Sequence, residues 1–224
     1  MKVIPSRARI VLWSAGVLLS LALVIAAYGY YQLSAGVDPP GLEAPNILDA
    51  RESSRKIKLL DQALSASKHG FIRLSEVEIN SYLHAHYPDP RTATNAPPDR
   101  DSCRLVKCCV DLVTGAVVFY SWVDLTWHGH TWTLCWQRAV QPRPQGDGWT
   151  FSLTAMHVGN LPIPPRFWGN VSEIFAGADA VFTRQYTWLT RLPAVVIQPS
   201  ELDQAPELRL YTFRDPGLWR DAQR

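Results

Sequence analysis

From Ile10 to Tyr31 the chain carries no charged side chain, and Leu, Val, Ile and Ala dominate the run. At about 1.5 Å per residue, a helix over those residues matches a hydrocarbon core about 30 Å thick. Trp13 lies near one end, with Tyr28, Tyr30 and Tyr31 at the other, where amphipathic rings favour the headgroup region. Lys2, Arg7 and Arg9 precede the run, and no Lys or Arg follows it until Arg51. The positive-inside bias then predicts a cytoplasmic N-terminus, a single-pass signal anchor and an extracytoplasmic (periplasmic) remainder from residue 32. The rival reading is a cleaved signal peptide, with Ala26, Ala27, Ser34 and Ala35 as small residues for cleavage. The run exceeds the roughly 7–15-residue apolar core of such peptides, which favours the uncleaved anchor. No cysteine lies nearby to carry a lipoprotein anchor.

The expected organisation is a tail over 1–9, an anchor over 10–31, a spacer over 32–46 and one domain over 47–224. About 190 residues beyond the anchor suffice for one core. The chain is 47% hydrophobic and 19% charged, which excludes a disordered polymer. Without the three basic residues that precede the apolar run, 19 basic groups face 20 acidic ones. A near-neutral surface offers no field for nucleic acid, so that class of partner is not expected.

Beyond the spacer, Asn46 is placed to cap a helix whose apolar residues Ile47, Ala50, Ile57, Leu60 and Leu64 share helical spacing, with Gly70 as its end. Ser75 and Glu78 fit a capping box, with Leu74 and Ile79 as its hydrophobic flanks. That predicts a second helix over 76–86, stopped by Pro88 and Pro90, and a Pro-rich loop over 88–102. From Cys103 the period changes to alternation. Four strands separated by Thr114-Gly115, His128-Gly129 and the QPRPQGDG loop make an antiparallel meander.

Two-residue turns fix the pairing. Val110 faces Phe119, Leu112 faces Val117, Ser121 faces Trp136, Val123 faces Leu134 and Leu125 faces Trp132. One side of the sheet then collects these residues, with Trp149, Phe151 and Leu153 on the fourth strand. The cover expected for that side is one long amphipathic helix carrying Phe167, Val171, Ile174, Phe175, Ala178, Val181, Phe182 and Leu189. Pro193 ends it, and AVVIQP and LRLYTF supply one or two closing strands. The fold class is α+β: a meander of about four to six strands on a long helix and two N-terminal helices, after one transmembrane helix.

Between the fourth strand and the long helix stands HVGNLPIPPRFW. Gly159 permits a bend, Pro162 and Pro164 interrupt a ladder, and Pro165 suits a first helical turn. The segment reads as a rigid strand-to-helix corner. Its apolar side chains, Leu161, Ile163, Phe167 and Trp168, form a candidate ledge for a bilayer, an acyl chain or a protein. Leu74, Ser75, Glu76, Glu78, Asn80 and Leu83, followed by Gly159, Leu161, Pro162 and Pro164, resemble the helix start and corner of YpmS-type membrane-anchored extracytoplasmic proteins. That resemblance spans about residues 70–185 and implies an envelope domain; the group has no established activity, and lipid handling is one role such a domain could have.

Candidate chemistry is sparse. No GxSxG, SxxK, P-loop or dinucleotide fingerprint occurs, so no cofactor is expected. His84 and His86 point about 200° apart on a helix and cannot share a metal. His128 falls in a turn, and His130 begins a strand on the core side. Cys108 should face the core, and Cys109 and Cys135 the other side, about 10 Å apart and beyond bridging. A buried free thiol and a local disulfide from Cys103 to Cys108 or Cys109 both fit. Five tryptophans fall on the meander, either filling a core or lining a groove, with Trp132 and Trp136 as the groove candidates. The preferred reading is a non-enzymatic, membrane-tethered domain that binds a lipid or a membrane-protein partner. The alternatives are a membrane-proximal hydrolase built from dispersed His and carboxylates, and an accessory subunit of an inner-membrane complex.

Overall fold

The computed structural model describes residues 6–34, 36–37, 44–87, 102–145, 148–200 and 204–213. The start of the tail, most of the spacer, the loop over 88–101 with its two stop prolines, and the side chain of Trp13 lie outside the described residues. α1 (Ser6–Ser34) is followed by α2 (Ile47–Ser65), β1 (Phe71–Ser75) and α3 (Glu76–His86). Among the described residues, no helix is long and apolar enough to cross a membrane. Side chains in α1 are described from Leu18 onward, and Leu19, Leu23, Val24 and Ile25 are all exposed.

Local chemistry accounts for the helix ends. The Leu48 and Asp49 N–H groups donate to the Asn46 side chain at 2.9 Å, which starts α2 as expected. Its end comes earlier than Gly70. Ser67 adopts φ 52°, and the Lys68 N–H donates to the Ala63 carbonyl at 2.9 Å, a Schellman-type closure reached without glycine. α3 carries the full capping box at Ser75 and Glu78, and spans the residues expected.

The meander comprises β2 (Ser102–Val113), β3 (Ala116–Trp127), β4 (His130–Gln145) and β5 (Gly148–Val158), and a two-residue β6 (Leu161–Pro162) completes a five-stranded antiparallel sheet. The β2–β3 and β3–β4 registers are those the turns dictate, Val110 on Phe119 and Ser121 on Trp136 among them. β4 runs further than expected, through Pro142 and Pro144 to Gln145. It pairs there with β5 alone, since β3 begins only opposite Val140, so prolines lacking an N–H cost no ladder bond on the open side. Bulges near Val106 and Thr154 shift the pleat and bring Met156 and Val158 into the core with Leu153.

The long helix is not continuous. A 3-10 turn (Pro165–Phe167) leads into α4 (Trp168–Ile174) and α5 (Ala176–Asp179), and a second 3-10 turn (Ala180–Phe182) leads into α6 (Thr183–Thr190). None of these pieces has a side-chain N-cap. At the first break Phe175 leaves helical geometry (φ −94°, ψ 8°), and its ring stacks on Trp136 at 4.8 Å. Breaking lets the segment follow the twisted sheet and bury Phe175 and Ala178, but it rotates other periodic residues outward. Phe167, Ile174 and Val181 are 46%, 54% and 41% exposed rather than core.

β7 (Ala194–Pro199) and β8 (Pro206–Tyr211) are the closing strands, but they belong to a second sheet of order β1–β8–β7. Its inner side packs Leu74, Val195 and Leu210 on Leu60 of α2 and Leu192. β1 was not anticipated. The architecture is α+β, with antiparallel sheets of five and three strands and several helices between and around them.

Candidate functional site: the proline corner and its joint with α1

Where β5 ends, Gly159 turns the chain with φ 58°. Its N–H donates to the Cys135 carbonyl at 2.7 Å, and its own carbonyl accepts from Gln137 Nε2 at 2.6 Å. The next residue reaches the far end of α1: the Asn160 N–H donates to the Gln32 carbonyl at 2.9 Å. The approach is so close that a Cβ on Gly159 would lie 2.6 Å from the Leu33 carbonyl oxygen and closer still to that of Gln32. Only glycine fits there, for its torsion and for its bulk.

The chain leaving α1 then straddles the sheet. Leu33 packs on the core side, against the cluster that holds Trp136, Met156 and Phe175. Val37 packs on the opposite side, against Cys109, Tyr120 and Cys135. Cys109 and Cys135 lie on the outer face, as the register requires, but they are buried there rather than open. All four cysteines are free. Burial pushes the thiols of Cys108, Cys109 and Cys135 up to about 12, so they stay protonated and poor nucleophiles.

After the turn, Leu161 pairs with Val158 and Pro162 with His157, and the Ile163 N–H donates to the Met156 carbonyl at 2.8 Å. Trp168 Nε1 donates back to the Ile163 carbonyl at 2.7 Å and locks the corner onto the first turn of α4. Of the six candidate residues, Ile163 and Trp168 come together on the cluster that contains Trp136. Leu161 is half-buried beside them, and Phe167 stands out at 46% exposure with the Arg166 guanidinium 4.7 Å from its ring centre.

Trp136 is fully enclosed, between Phe175 and the Arg138 guanidinium, whose carbon lies 3.9 Å from the indole centre. Arg138 also pairs with Asp179 of α5 at 2.7 Å. Burial pushes the Asp179 carboxyl up and the Arg138 guanidinium down, each against the pull of its partner. Trp132 does not share this environment. It lies four residues away along β4, about 14 Å, and is 37% exposed near the β3–β4 turn.

Polar residues take structural positions. Asn80, buried on the sheet side of α3, donates to the Val110 carbonyl at 2.9 Å and accepts from the Val110 N–H at 2.7 Å. Glu76 accepts from the Leu112 N–H at 2.9 Å. His84 and His86 are exposed at the end of α3, and His130 lies on the core side of the sheet, as its register requires, but is exposed beyond the end of the core. Among the described residues, no group of three or more His, Cys, Asp or Glu is placed to hold a metal ion. An open groove of about 440 Å³ lies between α2 and α3, with Arg51, Arg55, Lys58 and His86 among its lining residues.

No protein-family model, curated protein or solved structure matches this chain.

Proposed function

We propose that this chain is a membrane-tethered extracytoplasmic domain that acts by binding, held at a fixed orientation to the bilayer by the joint between α1 and the proline corner. The observation that carries this reading is the joint itself. A tether that served only as a leash would need no backbone hydrogen bond from Asn160 to Gln32 and no glycine to admit it. The charge-free run over 10–31 in the sequence, and the exposed apolar side chains of α1 between Leu18 and Ile25, support membrane insertion.

Phe167, Ile174 and Val181 recur every seven residues on the outer side of the helical segment, next to the exposed prolines of the corner. This row is the surface we assign to a membrane-protein partner. Lipid carriage between sheet and helices is disfavoured, since Trp136, Phe175 and Met156 fill that space. The reading keeps the envelope setting implied by the resemblance to YpmS-type proteins and departs from the lipid handling that went with it.

The test uses the full chain in its native membrane. It should remain in the pellet after an alkaline carbonate wash, and a variant with Leu19→Arg and Val24→Arg should move to the supernatant. Release of the unaltered chain would remove the tether and the reading with it.

A further inference from the structure

We propose that the β3–β4 hairpin tip is a second membrane contact, seating Trp127 and Trp132 in the headgroup region of the bilayer that holds α1. The inference rests on the tethered reading and adds a contact to it. Its first support is position. β5 ends opposite Trp136, and Gly159 bonds Cys135, so the α1 joint sits at the Cys135 level of β4. β4 continues five residues beyond that level to His130, about 17 Å, with β3 as its only strand partner among the described residues. Tyr28, Tyr30 and Tyr31 mark the aromatic end of the apolar run just before the joint. The tip therefore projects from the same end of the sheet at which α1 arrives.

The second support is the chemistry of the ribbon. From Leu125 to Gln137 there is no Asp, Glu, Lys or Arg. The register places Trp127 opposite His130 and Leu125 opposite Trp132, so both indoles share one side as diagonal neighbours. That side continues the core face of Val123 and Leu134, but past the end of the core it is left uncovered: Trp127 is 59% exposed and Trp132 37%. The opposite side is polar. The hydroxyls of Thr126 and Thr131 lie 3.0 Å apart, and Thr133 donates to Asp124 at 2.6 Å. A ribbon with indoles on one face and threonines on the other suits an interface where one side is apolar and the other wet. A strand partner at the open edge of β4 would use main-chain groups and would not call for indoles without charges around them.

The test is tryptophan quenching in the full chain, reconstituted into phosphatidylcholine vesicles brominated near the top of the acyl chains. Trp13→Phe serves as the parent, which removes the indole within the α1 run. Quenching in this parent should fall by more than half in Trp127→Phe/Trp132→Phe. In the parent itself, His130→Trp, on the indole side, should add quenched emission, while Thr131→Trp, on the threonine side, should add emission that is not quenched. This pair leaves both native indoles in place and so does not depend on the double variant folding. Unchanged quenching in the double variant, or equal quenching of the two added indoles, overturns the proposal. If the parent meanwhile survives the carbonate wash, the tether stands and only the tip contact is lost. A concentration-dependent dimer without quenching overturns it in favour of strand pairing between copies.

Discussion

Two edges of the five-stranded sheet are closed by opposite means. At β2, a helix supplies side chains: Asn80 of α3 completes both main-chain bonds of Val110, and Glu76 accepts from Leu112. Where β5 gives out, backbone closes on backbone, with Gly159 held to Cys135 and Asn160 to Gln32. Both devices hide an edge that would otherwise pair with another chain. The first depends on residue type, on an amide and a carboxylate carried by α3. The second depends on the absence of a side chain, and it ties the sheet to the end of α1.

The comparison breaks most visibly at Gly159. Gly159→Ala adds a left-handed torsion cost of about 1 kcal/mol and a collision with Leu33, together about 3–5 kcal/mol. We expect the joint to yield before the sheet does. Hydrogen exchange at the Asn160 amide should rise steeply while the Val110 amide keeps its protection. Equal protection of Asn160 in both proteins would mean that the Gln32 contact does not hold in solution.

Asn80→Ala attacks the other edge. It strands a buried N–H and a buried carbonyl at Val110, at a cost of about 2–4 kcal/mol. For a domain of this size that is a fall in melting temperature of roughly 4–16 °C. Here the exchange pattern should reverse, with Val110 exposed and Asn160 still protected. A variant that loosens both edges equally would show that they are one cooperative unit rather than two.

Between the edges, Arg138 and Asp179 fasten α5 to the sheet. Burial dominates both partners, so the pair is weakly favourable at best, and replacing it with apolar side chains should cost little. Asp179→Asn alone, which keeps the neutral form that folding favours, should cost less than about 1 kcal/mol, and Arg138→Met/Asp179→Leu should cost no more. The pH dependence has a definite sign. A carboxyl raised by folding binds its proton more tightly in the native state, so its contribution is fully present below the unfolded carboxylate pKa and is lost as pH rises through the folded value. Denaturation midpoints across the acidic range should therefore show a shallower fall with rising pH in Asp179→Asn than in the parent.

The same contrast explains how much was legible from residues alone. The meander registers and the capping box follow from turn residues, spacing and side-chain chemistry close along the chain. The three-stranded sheet does not, because Phe71 pairs with Tyr211 across most of the domain and β1 is only five residues long. The broken helix escaped periodicity, since Phe167, Ile174 and Val181 keep helical spacing although the breaks turn them to solvent. The cover over Cys109 and Cys135 depends on Val37, and the site at Gly159 on Gln32, more than a hundred residues away. A positive φ at a glycine was readable; the partner that needs the missing side chain was not.

The smallest expected effect sharpens the comparison at the β2 edge. Ser75→Ala removes one half of the capping box and should cost about 1 kcal/mol, as caps of this kind do. Glu78→Ala should cost more than Ser75→Ala, because Glu78 also pairs with Lys56 of α2, whose ammonium bonds the Arg73 carbonyl as well. If the helix start matters only to α3, Ser75→Ala will shift the denaturation midpoint without changing exchange at Val110. If Val110 loosens in step, the cap is part of the edge closure: it sets the angle at which α3 delivers Asn80 and Glu76 to β2, and a residue five positions from Asn80 then governs whether the strand stays closed.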